Sequence, residues 1–107
     1  MANLVQWITE TAAGEPIEAV VIGALNGYSD DSDEPVPKDK RCVVLTWDEA
    51  RPLLDYEFHD GFGGAECNPV EVYTPTRVLF VHEHDGSTCM VWVPRNPQAT
   101  EPQHGGR

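Results

Sequence analysis

Apolar positions recur along the chain with two different periods, and the changes of period mark its elements. Over residues 3–13, Leu4, Trp7, Ile8 and Thr11 fall at helical spacing, with Asn3 placed to cap the first turn and Gly14 just past the last. Residues 17–22 fit either period, because Ile17, Val20, Val21 and Ala24 also lie at helical spacing. Their β-branched content and the flanking Pro16 and Gly23 favour a strand buried on both faces. Cys42-Val43-Val44-Leu45 predicts a second strand over 41–46. Thr46-Trp47-Asp48-Glu49 then carries a capping-box pattern that starts a helix at Trp47. Trp47, Ala50, Leu54 and Phe58 form its apolar stripe to about residue 57, with a kink or break expected at Pro52. A further strand is expected over 70–73.

The sharpest local signal is Asp85-Gly86, which accepts the positive φ angles of a type I′ turn and separates two alternating runs, 77–84 and 87–94. A two-residue loop fixes the register. His84 faces Ser87, His82 faces Cys89, Phe80 faces Val91 and Val78 faces Val93 on one side of the hairpin. The other side pairs Glu83 with Thr88, Val81 with Met90 and Leu79 with Trp92. Both sides are substantially apolar, so one is expected to pack on the helices and the other on a loop or a second copy of the chain. The resulting fold class is α+β: an antiparallel sheet of four to five strands with a C-terminal β-hairpin, packed by one or two short helices. Residues 1–94 are read as a single domain with a mobile acidic loop at about 26–40, and 95–107, which lack an apolar anchor, as a disordered tail. No internal repeat is evident.

At 107 residues the chain has room for one sizeable core, and no apolar run approaches the length that spans a bilayer. The first residues show no basic or apolar features of a secretory signal, which points to a cytoplasmic protein. Eighteen acidic residues against seven basic ones give a formal net charge of −11, which disfavours direct binding to nucleic acid or an anionic membrane. Three cysteines, an odd number without an extracellular address, argue for free thiols rather than a disulfide framework.

The candidate chemistry is sparse. Asp31, Asp33 and Glu34 are spaced like part of a calcium loop, but the glycine at its sixth position and the glutamate at its twelfth are missing. His82, His84 and Cys89 share one side of the hairpin and form the only constellation that suggests a zinc site or a thiol paired with a base. Their spacing matches no zinc signature, and no metal or cofactor is assigned. Gly61-Phe62-Gly63-Gly64 follows a helix and lacks the Lys and Ser or Thr of a phosphate-binding loop. Acidic pairs are too numerous to single out a hydrolytic dyad. The residues therefore favour a binding protein over an enzyme. A small metal- or thiol-dependent enzyme or sensor using His82, His84 and Cys89 is the alternative.

A short, strongly acidic α+β chain with an acidic loop resembles the small phage and prophage proteins that inhibit host defence, of the anti-CRISPR and anti-restriction type. The stretch from Trp47 through Gly64 to Val93-Pro94-Arg95-Asn96-Pro97 is also similar to small phage proteins. The resemblance implies a partner with a basic protein or nucleoprotein surface in a host nucleic-acid-processing or defence complex, and it transfers no functional residue. The residues expected to meet such a partner are Asp30, Asp31, Asp33, Glu34, Asp55, Glu57 and Asp60, with Trp47 and Phe62 as apolar anchors.

Overall fold

A computed structural model of the chain describes residues 1–25, 34–61 and 65–107. The first helix, α1 (Leu4–Ala12), starts where Asn3 accepts the amides of Val5 (2.8 Å) and Gln6 (3.3 Å), and it ends at Ala13 in a left-handed conformation. Its stripe of Leu4, Ile8 and Ala12 is buried. Ahead of it, β1 (Ala2–Asn3) pairs antiparallel with β3 (Glu57–Phe58).

The larger sheet has four antiparallel strands in the order β2 (Ala19–Ile22), β4 (Val70–Tyr73), β5 (Arg77–His84) and β6 (Ser87–Pro94). The β5–β6 hairpin has the register set by its two-residue turn, all eight pairs from Arg77 with Pro94 to His84 with Ser87. Asp85 (φ 55°) and Gly86 (φ 81°) both lie in the left-handed region that a type I′ turn demands. Alternation sends Val20, Ile22, Val70, Val72 and Leu79 to one face, where they are buried. The stripe of α1 and the buried Ala50 and Leu54 of α2 (Trp47–Leu54) complete this core, α1 lying against β5 and β6 and α2 against β2.

Three expectations are corrected. Residues 41–46 do not form a strand: Leu45 alone bridges Val20, and the Cys42 amide donates to the Ile22 carbonyl (2.8 Å). Cys42 sits at φ 59°, which breaks the extended run and leaves Val43 and Val44 42% and 75% exposed. The helix at Trp47 stops at Leu54 instead of about residue 57, but it passes through Pro52 without a break. Proline there deprives only the Asp48 carbonyl of its intrahelical donor, and Asp48 lies on the solvent side where water can replace it. Phe58 is buried as its spacing suggested. It reaches the core from β3, packing edge-on against Trp7 at 5.2 Å. Finally, residues 34–40, expected within the mobile loop, include the fully buried Val36 and a 3₁₀ turn at Lys38–Lys40.

Candidate interaction surface

The acidic residues divide by what their carboxylates touch. Glu49 closes the capping box of α2, accepting the Thr46 amide while the Thr46 hydroxyl accepts the Glu49 amide, and it lies 3.9 Å from Lys40. The Thr46 amide and then the Thr46 hydroxyl hold its carboxyl below the usual range. Glu15 ties the β4–β5 connection to the end of α1, accepting the hydroxyls of Thr74 (2.6 Å) and Thr76 (2.5 Å) and the Thr76 amide. These bonds, Thr74 first, also lower its pKa. Glu18 pairs with Arg95.

Glu34, expected at the partner interface, is turned inward, with its side chain only 6% exposed. Its carboxylate accepts the Leu25 amide (2.6 Å), the Val36 amide (3.2 Å) and Asn68 Nδ2 (2.7 Å), and Arg41 Nη1 lies 3.9 Å away. Burial pushes this carboxyl up, but the bonds from Asn68, Leu25 and Val36, with the charge of Arg41, outweigh it, so the pKa falls below the usual value. Asn68 is fully buried and joins the cluster to Tyr56: the Tyr56 hydroxyl donates to Asn68 Oδ1 (2.5 Å) and accepts the Asn68 amide (2.8 Å), while Nδ2 also donates to the Gly23 carbonyl (2.9 Å). Burial pushes the Tyr56 phenol up to about 12 and the neighbouring Cys67 thiol up to about 11. No sequence pattern marks this cluster, because its members are brought together from positions 23 to 68.

What remains exposed lies on α2 and β3. Asp48, Arg51, Pro52 and Asp55 line a shallow groove of about 340 Å³ on the solvent side of α2, and Glu57 is exposed on β3. Asp55 caps the end of α2 and accepts Asn3 Nδ2 (3.0 Å). Among the described residues the ion pairs engage Glu18, Glu34 and Glu49, and none involves Asp48, Asp55 or Glu57. The exposed Val43 and Val44 lie three and two residues before the α2 cap Thr46, with the buried Leu45 between, adding apolar surface that an extended strand would have hidden. Trp47 is half-buried against the core, and Asp60 is half-buried with its carbonyl accepting the Thr88 amide (3.0 Å). Asp30, Asp31, Asp33 and Phe62 lie outside the described residues.

His82 and His84 do share one side of the hairpin, their rings stacked at 6.2 Å, and Cys89 stands opposite His82. Among the described residues, however, no group of three His, Cys, Asp or Glu side chains is placed to hold a metal ion. No described helix is long and apolar enough to cross a membrane. No family model matches the chain, and no curated protein or solved structure is significantly similar to it.

Proposed function

We propose that the protein is a non-enzymatic binding protein that docks the acidic side formed by α2 and β3 onto a basic surface of a partner protein or nucleoprotein, as an inhibitor of host nucleic-acid processing or defence would. The observation that supports this reading is the exposure of Asp48 and Asp55 along one groove and of Glu57 on β3, while Glu15, Glu34 and Glu49 are engaged within the fold. Carboxylates so placed pair with the Arg and Lys side chains that elsewhere hold phosphate. Exposed charges act over only about 8 Å at physiological ionic strength, so they speed and orient encounter more than they hold the complex. The holding contact requires apolar burial, for which the exposed Val43 and Val44 and the half-buried Trp47, close in sequence to the start of α2, are the candidates.

The test starts with a photo-crosslinking residue placed at Asp55, or at Glu10 on the exposed side of α1 as a control, in a bacterial lysate. A basic protein captured from Asp55 only is then purified for binding kinetics. The triple variant Asp48→Lys, Asp55→Lys, Glu57→Lys is expected to slow association about tenfold or more at low salt, with the deficit shrinking as salt rises. Glu71→Lys, on the opposite face of the sheet, is expected to leave the rate alone. Equal rates for the triple variant and the wild type at every ionic strength would refute the assignment.

A further inference from the structure

The sheet face turned away from the helices carries Val78, Phe80 and Val91, half-buried, and Val93, exposed. The chain itself covers part of that face with residues 105–107. The Trp92 amide donates to the Arg107 carbonyl (2.9 Å) and the Arg107 amide returns the bond to the Trp92 carbonyl (2.7 Å). This reciprocal pair is one rung of an antiparallel ladder on the outer edge of β6. The Arg107 guanidinium lies 5.5 Å from the centre of the Trp92 ring and donates to the Thr100 hydroxyl (2.7 Å) and the Glu101 carbonyl (3.1 Å).

The two residues before it must be glycine. Gly105 (φ 71°) and Gly106 (φ 84°) are both left-handed. A Cβ on Gly106 would sit 3.1 Å from the Trp92 carbonyl oxygen and 3.2 Å from both Phe80 Cζ and Val91 Cγ2, and one on Gly105 would sit 3.0 Å from the His82 ring. The Gly106 amide donates to the Gln103 carbonyl (3.3 Å), so the segment turns onto the edge, and backbone pairing at Arg107, two steric selections for glycine and an aromatic face for a cation together make a recognition site for a short turned segment.

We propose that the β6 edge at Trp92, with Phe80, Val91 and His82 beside it, is a docking site for a Gly-Gly-Arg segment turned by two left-handed glycines, filled here in cis by residues 105–107 and open to the same chemistry presented by another polypeptide. The net charge of −11 favours a cationic occupant. Attachment in cis supplies an effective concentration of roughly millimolar, so a contact this small closes on its own chain, and a segment in trans must compete with it. This site is separate from the α2–β3 surface and stands or falls independently of it.

The test uses the full chain, wild type and Gly106→Val, with the capped peptide acetyl-His-Gly-Gly-Arg-amide as probe. Hydrogen exchange at the Trp92 amide is expected to be at least tenfold slower in the wild type than in the variant. Peptide added to the variant restores protection and shifts the Trp92, Phe80 and Val91 resonances, whereas the wild type requires at least tenfold more peptide. A peptide with valine in place of the second glycine does neither. Arg107→Ala, which introduces no backbone clash, repeats the comparison should Gly106→Val perturb the hairpin. Equal Trp92 protection in wild type and both variants, or equal responses to the two peptides, would overturn the proposal.

Discussion

Asn68→Ala tests whether the buried cluster holds the fold together. The Asn68 side chain satisfies the Tyr56 hydroxyl, the Gly23 carbonyl and one oxygen of Glu34, and it is fully buried. Leaving the two neutral groups short of a partner costs about 1 kcal/mol each, and weakening the support of a buried carboxylate costs about 1.5–3 kcal/mol. Water entering the polar cavity recovers part of this, so a net loss of about 3 kcal/mol is expected, a large share of the roughly 5–15 kcal/mol that holds a domain of this size. In urea, at a slope of about 1.5 kcal/mol per molar, the midpoint falls by about 2 M with the slope unchanged. Tyr56→Phe alone costs about 1–2 kcal/mol, and the double variant costs less than the sum by about 1 kcal/mol, since the Tyr56 hydroxyl is no longer there to be orphaned. A loss below about 1 kcal/mol for Asn68→Ala, or strict additivity in the cycle, would refute the cooperative account.

Gly86→Val places a β-branched residue at φ 81° in the hairpin turn and is expected to cost about 1 kcal/mol or more in the same urea assay, while an unchanged midpoint would contradict the turn's role. Cys42 and Cys89 are exposed and Cys67 is buried with its thiol pushed up to about 11, so a disulfide reagent near pH 8 should modify the first two promptly and Cys67 only with unfolding. The carboxyls of Glu15, Glu34 and Glu49 are all lowered in the fold, so the unfolded chain binds more protons than the folded one. Their contribution to stability is present above the unfolded value of 4.5 and is lost as pH falls through the folded ones, giving an acid limb in the urea midpoint that Glu34→Gln should flatten. Cys67 acts at the other end: raised from 9.0 to about 11, it contributes stability below pH 9 that is lost as pH climbs toward the folded value.

Where local rules agree with one another, the sequence alone suffices to place an element. Asp85-Gly86 defines both the turn and, through the two-residue loop, every cross-strand pair of β5 and β6. Asn3 and the Thr46/Glu49 box place the starts of both helices because a cap is a contact between residues two or three apart. Residues 41–46 fail for the opposite reason. Four apolar residues in a row describe a buried strand only if their backbone is extended, and the left-handed turn at Cys42 is imposed by the approach to Ile22 and Val20 across the fold. Phe58 shows the same limit, since its spacing placed it in the core correctly while assigning it to a helix that Asp55 had already ended.

The acidic surface was legible only as a total. Local sequence treats Glu34 and Asp48 alike, yet one carboxylate accepts three hydrogen bonds in a buried cluster and the other faces water. The difference comes from Asn68, thirty-four residues away in sequence, and from the Leu25 amide, nine residues away. Burying a carboxylate without such partners would be prohibitive, so Glu34 belongs to the folding of the chain before it belongs to any interface. That assignment changes how a loss of binding must be interpreted. A Glu34 charge reversal would place a cation among the Leu25 and Val36 amides and beside Arg41, and any binding defect would follow from disruption of that cluster. Reversal at Asp48 and Glu57 alters exposed side chains outside the core, so a change in association rate there reports on the surface itself, whereas reversal at Asp55 also removes the acceptor of Asn3 Nδ2 at the α1 cap.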